Sequence, residues 1–554
     1  MKRKLPLIIL ATILCAKSYS QWNNNPSINV AVSTATQNQQ DAYIVTDGKK
    51  GAIITWADFR DTLHHDDIFV QRMDANGYPK WTVNGVVLCS DTGKQAVPKI
   101  VETNTGGAII TWQDMRSGFK DIYAQKVDSL GNIMWTTNGV GVCTKLGTQQ
   151  NPQITSDGHG GAIIVWEDST TTNNSFDIYA QRIDSLGNIL WGAMGVSICT
   201  QPYTQLNPKI KSDQAGGALI CWQDKRFGLS NFVYAQRVDP SGDIYWATDG
   251  IQVCAWGGGQ TNPKLGCDGA QGAIIAWQDK RNGNYDVYAQ RLNASGGLMW
   301  NINAVAVCGY LGNQSAIDVA TDGINGAIIS WKDIRTGVFQ VFVNNITASG
   351  NVTWSTVAQG GIAIGSGENP NVVGDGYGGA IVAWQDSISS GGTWDVYSQR
   401  LDSTGVKLWT ITGTPTCIAA GGQTNPKQVA TGDGGAIFCW QDKRNTVDAD
   451  IYAHHMFANG SHAGVDELNG NNNSITCYPN PFSSQATISV NATADTDVWQ
   501  LNIFDVTGKL VKTETITNSK QFVFNKGELT DGIYFYQGVS KNKIIGSGKF
   551  VITK

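Results

Sequence analysis

Outside Leu5–Ala16 the chain has no long apolar run, and nothing later in it approaches the roughly 18 apolar residues that cross a bilayer as a helix. Charge is scarce: charged residues are 15% of the 554, and the formal net charge is −5. The basic excess that neutralises a phosphate backbone is missing, which excludes nucleic acid as a partner. Adjacent cysteines and Cys-x-x-Cys-His are also missing, and with them covalent haem attachment. What is abundant is glycine (64) and tryptophan (19). Tight turns with large buried rings point to many short strands, not to helices or a disordered tail.

The amino terminus stands apart. Lys2, Arg3 and Lys4 precede Leu5–Ala16, and Ser18 and Ser20 follow. A basic start, a short apolar segment and a small-residue exit predict a secretory signal peptide over residues 1–20, cut near Ser20–Gln21. Leu14 is too large for lipoprotein processing at Cys15. Without Lys2, Arg3, Lys4 and Lys17 the mature chain carries about −9.

The strongest signal is internal repetition. A Gly-Gly-Ala-Ile-Ile-x-Trp-x-Asp segment recurs with its tryptophan at Trp56, Trp112, Trp166, Trp222, Trp277, Trp331, Trp384 and Trp440, spaced 53 to 56 residues apart. Each unit reads as four strands separated by Gly, Asn and Asp turns. In Ala108–Trp112, alternate residues are apolar on both faces, as for a strand buried between two neighbours. Asp157-Gly158 and its equivalents read as the hairpin turn before that strand. Cys89, Cys143, Cys199, Cys254, Cys308 and Cys417 occupy one equivalent site. In an eight-fold ring such positions lie about 11–15 Å apart, beyond the roughly 7 Å of a disulfide. They are expected to be buried free thiols.

A second tryptophan series (Trp81, Trp135, Trp191, Trp246, Trp300, Trp354, Trp409) has seven members against the eight of the first. The eighth stands at the other end of the chain, Trp22, followed by Ile28–Val32. The last repeat stops near Gly464, before its own second tryptophan. The pattern predicts an all-β, eight-bladed β-propeller over 21–464, its last blade completed by an N-terminal strand. A linker over 465–474 and a small C-terminal β-sandwich over 475–554 complete the predicted organisation.

Asp402-Ser-Thr-Gly-Val-Lys-Leu-Trp409 resembles the tryptophan-docking repeat of the quinoprotein dehydrogenase and outer-membrane-assembly propellers, which are also eight-bladed. The resemblance spans about eight residues per repeat and carries no cofactor with it. At the carboxy terminus stand Tyr478-Pro479-Asn480-Pro481-Phe482, Ile503-Phe-Asp-Val-Thr-Gly508-Lys509, Leu529-Thr-Asp-Gly532-Ile-Tyr534-Phe-Tyr536 and Lys549-Phe-Val-Ile-Thr-Lys554. In order and spacing these resemble the type A C-terminal sorting domain of type IX secretion cargo of Bacteroidetes. The resemblance implies passage through the periplasm, transit by the type IX translocon as partner, and a product at the cell surface or released. It assigns the sorting signal to Pro479, Asn480, Pro481, Gly508, Gly532, Tyr534, Lys549 and Lys554.

Candidate functional residues come from the repeat. An Asp-x-Arg pair recurs at the end of the second strand; as candidate ligand-binding residues on the propeller rim we take Asp114/Arg116, Asp224/Arg226, Asp279/Arg281 and Asp442/Arg444, with His64 and His65 from an irregular loop. The same pairs suit Arg–carboxylate bridges that fix turns and neighbouring blades. Near-identical copies argue against catalysis, which takes one distinct constellation. No cofactor, metal or catalytic set is predicted. The expected function is a secreted or cell-surface binding or adhesion protein, monomeric, whose rim recognises polysaccharide or protein. The alternative is a secreted glycan hydrolase or lyase with its site at the channel mouth.

Overall fold

The computed structural model describes residues 22–61, 66–169, 175–387, 392–445, 448–463, 475–490, 498–505, 509–540 and 543–553. The expected signal peptide and linker lie outside them. The chain forms two compact units, Met1–Val465 and Asp466–Lys554. Among the described residues every regular element is a β-strand.

Among its described residues the first unit holds eight four-stranded antiparallel sheets. In seven, four strands consecutive in sequence pair in order, as in Gln95–Glu102, Ala108–Asp114, Asp121–Val127 and Val140–Cys143. The eighth is discontinuous. Gln423–Ala430, Ala436–Asp442 and Asp450–Met456 pair in order, and the fourth strand is Val30–Ser33 from the other end of the chain. Val30 lies opposite Ala453 and Ala31 opposite Tyr452.

Each second strand is buried along its length, as Ala108–Asp114 is, with only Lys332 and Gln441 half-buried, because neighbouring sheets cover both of its faces. Its central tryptophan has no exposed surface in any of the eight sheets. Trp112 stacks on Tyr123 with ring centroids 6.4 Å apart. At about 25 cal/mol per Å² and 150–250 Å² per ring, each contributes roughly 4–6 kcal/mol gross.

The second tryptophans tie each sheet to the next. Trp81 Nε1 donates to Ser129 O at 3.2 Å, Trp191 to Pro240 O at 3.2 Å, and Trp409 to Ala458 O at 3.0 Å. Trp22 does the same from the eighth sheet to the first, donating to Ala75 O at 2.9 Å. Each indole lies flat on a turn glycine. At Gly77 (φ 85°) a Cβ would sit 2.7 Å from the Trp22 ring, so only glycine permits the contact. Trp22, Val30 and Val32 share one cluster with Ile54 and Trp56 of the first sheet and Ile437 and Cys439 of the eighth.

The repeat cysteines are free and buried. Burial pushes the Cys89 and Cys199 thiols up to about 12, so they act as small apolar fillers, not nucleophiles.

In the eighth sheet two histidines replace a repeated Gln-Arg. In six other sheets the glutamine holds the second tryptophan, as Gln71 Oε1 does in accepting from Trp81 N at 3.0 Å. Here His454 Nε2 lies 2.8 Å from His462 Nδ1, and the His455 ring meets Trp22 edge-on at 6.0 Å. Burial holds His455 down to about 4, with Asp433 opposing and Lys50 adding to the effect. Burial and the neighbouring His462 and His455 hold His454 well below its ordinary value. Both rings are neutral when folded but titrate near 6.5 when unfolded. Their stabilisation is full above pH 6.5 and is lost as pH falls from there toward about 4. For His455 alone the loss amounts to roughly 3 kcal/mol at about 1.4 kcal/mol per pH unit. Relative to the H454Q/H455R variant, which restores the repeat, the wild type should therefore lose melting temperature between pH 7 and 5. The comparison cancels the opposite contribution of Asp177 and Asp450, whose carboxyls burial raises to about 6.

Among its described residues the second unit has seven strands in two sheets. One holds Ile475–Tyr478, Gln485–Val490 and Gln521–Asn525; the other holds Leu510–Thr517, Val498–Phe504, Gly532–Ser540 and Lys543–Ile552. Both pack on one core that includes Phe482, Trp499, Phe524, Tyr536 and Phe550.

Candidate binding site

The Asp-x-Arg pairs turn inward. Asp224 Oδ2 accepts from Trp222 Nε1 at 2.8 Å and from Arg226 Nη2 at 2.7 Å, while Oδ1 accepts from Arg226 Nε at 3.0 Å and Arg226 N at 2.8 Å. The guanidinium then lies 3.6 Å from the Tyr234 ring centroid and donates to Asp249 O and to Cys199 Sγ. Cys199 belongs to the preceding sheet, so the cluster also bridges two sheets. Asp114/Arg116, Asp279/Arg281 and Asp442/Arg444 repeat the arrangement, with guanidinium-to-ring distances of 3.9, 3.7 and 3.7 Å. All four aspartates are fully buried. Their carboxylates are engaged inside the fold, which makes these residues a frame for the surrounding loops. His64 and His65 lie outside the described residues.

Two substitutions in this cluster escaped sequence reading. Arg60 finds Ser33 Oγ at 3.4 Å where other arginines find a cysteine, so Val30-Ala-Val-Ser33 is the Val-x-Val-Cys strand with serine in the last place. The third sheet has no arginine after Asp168. Lys145 from the preceding connection pairs with Asp168 at 3.0 Å and sits 4.1 Å from the Tyr179 ring centroid, taking the guanidinium's place. Residues 170–174 of the third repeat and 388–391 of the seventh, the two repeats with no arginine after the second-strand aspartate, lie outside the described residues.

The first strands of all eight sheets meet around a cavity of about 530 Å³. Each strand carries a bulge whose first residue is left-handed: Asp41, Val97, Asn151, Asn207, Asn262, Ala316, Asn369 and Asn425, with φ between 50 and 56°. Five are asparagine, which tolerates that region best after glycine. The bulge turns the residue two places on into the cavity: Tyr43, Lys99, Gln153, Lys209, Lys264, Asp318, Asn371 and Lys427. Lys264 reaches Asp318 at 3.6 Å, and the same carboxylate accepts from Asn371 Nδ2 at 2.8 Å. Lys99 is 8% exposed, its Nζ 3.9 Å from the Tyr43 ring centroid and 3.3 Å from Pro98 O. Burial pulls the Lys99 ammonium down to about 7, Asp41 opposing and Lys264 adding to it; burial pulls Lys209 down to about 8, with Lys264 and Lys99 adding. Among the described residues no three His, Cys, Asp or Glu side chains gather as a metal site.

In the second unit, Asn480 clamps the last strand. Its Nδ2 donates to Lys549 O at 2.9 Å, and its Oδ1 accepts from Val551 N at 2.8 Å. Phe482 then enters the core between Pro481 and the strand Gln485–Val490. Tyr534 Oη donates to Thr530 O at 2.9 Å beside Gly532, and Lys549 is exposed. Pro479 and Pro481 line a shallow cleft of about 550 Å³. Gly508 and Lys554 lie outside the described residues.

Residues 476–553 match the secretion system C-terminal sorting domain. The sorting domain assigns the chain to handling by the type IX system and to export, at the cell surface or released. No helix among the described residues is long and apolar enough to cross a membrane. No curated protein matches the chain. Among solved structures, a eukaryotic initiation factor is 9% identical with a TM-score of 0.40, covering 80% of this chain and 94% of its own. A polysaccharide lyase is 9% identical with a TM-score of 0.39, covering 81% and 94%. An α-L-arabinanase of Penicillium chrysogenum, complexed with arabinobiose, is 10% identical with a TM-score of 0.35, covering 66% and 93%. At these scores neither fold nor activity is carried over from them.

Proposed function

We propose that the chain is an exported binding or adhesion protein whose body, residues 21–464, is a closed eight-bladed β-propeller acting as a monomer, with a rim that engages polysaccharide or protein. The signal peptide (1–20) and the sorting domain (475–554) serve its export. Closure is supported by the Trp22–Ala75 bond, which adds the eighth sheet-to-sheet link to those made by the other second tryptophans. The same indole contacts support kinship with the tryptophan-docking propellers.

Binding in preference to hydrolysis rests on one observation. Among the described residues a single carboxylate, Asp318, lines the cavity, whereas most glycoside hydrolysis takes a pair of them. The buried Asp–Arg pairs set the loops, and the loop surfaces around them make the contacts. A glycan array probed with the exported body, run beside reducing-end release on the same sugars, tests the reading. Retention without product supports it. Product release that disappears on altering residues 64–67 contradicts it.

A further inference from the structure

Five lysines, Lys99, Lys209, Lys211, Lys264 and Lys427, line one cavity from four different sheets. Among the described residues Asp318 is the carboxylate that lines it, with Asp41 acting on Lys99 and Glu167 on Lys209 from farther off. The Asp318 carboxylate is shared between Lys264 and Asn371. Among the described residues Lys99 and Lys209 have no carboxylate in salt-bridge contact. Their nitrogens approach the carbonyls of Pro98, Asn207 and Pro208 at 3.1–3.5 Å. Like charges held together in a confined space raise the free energy of the empty site, and the repulsion grows as water is excluded. A bound oxyanion relieves it. The chain is acidic overall, at −5, so the cluster departs from the sign of the molecule around it.

The remaining polar lining groups are amides and a phenol, Asn151, Gln153, Asn207, Asn371 and Tyr43, set among aliphatic side chains. Together they offer both donors and acceptors to hydroxyl groups. A cavity of about 530 Å³ is much larger than an inorganic anion needs and falls in the range that holds small organic ligands.

We propose that the cavity binds an acidic saccharide unit, its carboxylate or sulfate oxyanion held by Lys99, Lys209, Lys264 and Lys427 and its hydroxyls by the surrounding amides. The site is separate from the rim reading, and either holds without the other. Because Lys99 and Lys209 lose protons readily when the cavity is empty, an anion drawing those protons back is taken up together with them.

The test is titration calorimetry on the mature full chain with digalacturonate, a sulfated disaccharide, inorganic phosphate and cellobiose, repeated near pH 8 in buffers of different ionisation enthalpy. Digalacturonate or the sulfated disaccharide should bind with net proton uptake, and the two arms distinguish carboxylate from sulfate. Cellobiose should not bind. K99M and K209M should weaken binding by about tenfold or more, the loss expected when a charge-assisted hydrogen bond is removed, and should melt no lower than the wild type because a repelling charge is gone. Four results would overturn the proposal: no heat with either acidic sugar, equal affinity for cellobiose, equal affinity in both variants, or phosphate binding as tightly as the sugars.

Discussion

Deleting residues 21–33 should lower the stability of the body by about 5 kcal/mol or prevent folding outright, whereas deleting 475–554 should leave its melting unchanged. The first deletion removes Trp22, Val30 and Val32, all buried in the cluster shared by the first and eighth sheets. One tryptophan at roughly 4–6 kcal/mol and two valines at about 1.5–3 kcal/mol each give a gross loss near 10 kcal/mol, part of which the regained chain entropy offsets. It also strips the outer edge of Asp450–Met456 of its partner strand and leaves a template for misassembly. The second deletion removes a unit with its own core. Thermal denaturation of the two truncated proteins separates these outcomes, and equal melting temperatures would contradict the account of the eighth sheet.

Asp224→Ala should destabilise the body by about 3–5 kcal/mol, the range for removing one partner of a buried ion pair. The carboxylate accepts from both Trp222 Nε1 and the Arg226 side chain. Its loss strands a buried indole N–H and a guanidinium whose side chain is only 11% exposed. Asp224→Asn keeps an acceptor for the indole and should cost less. Asp243→Ala, at an exposed turn, should stay within about 0.5 kcal/mol. Urea unfolding of the three variants gives the order. If Asp224→Ala abolished ligand retention while stability held, the pair would be a binding residue and not a frame.

The periodic features were legible because their physical basis is local. A tryptophan every 53 to 56 residues on a strand apolar on both faces has few places to go except between two sheets. The same counting placed Trp22 beside Asp450–Met456, where its indole meets His455. Direction was not legible. Asp-x-Arg spacing puts the two side chains together but does not say whether they face solvent, and here the ring of Tyr234 and the thiol of Cys199 draw the Arg226 guanidinium inward. Replacement from elsewhere in the chain was hidden too. Lys145 precedes Asp168 by a whole strand, and Ser33 stands in a cysteine's place 27 residues before Arg60. The histidines His454 and His455 lie in a buried strand, a context that the His-His pair alone does not announce in sequence. Each of Lys99, Lys209, Lys264 and Lys427 follows a repeat proline, and the other three stand in other repeats. Only the convergence of eight first strands, each bent by an asparagine-favoured bulge, brings them together.

The most direct measurement is a cross-link between the two ends of the body. Ser33 lies opposite Ile451, and directly opposed residues in an antiparallel pair have Cβ atoms about 4.5–5.5 Å apart, near the reach of a disulfide. Cysteine already holds the Ser33 position in most of the other sheets, so S33C is a mild change, while I451C trims a fully buried side chain. After export and proteolysis, mass spectrometry should find the peptides containing residues 33 and 451 joined by a disulfide, and reduction should lower the melting temperature. Peptides recovered only as free thiols from a folded protein would mean that the N-terminal strand does not complete the eighth sheet.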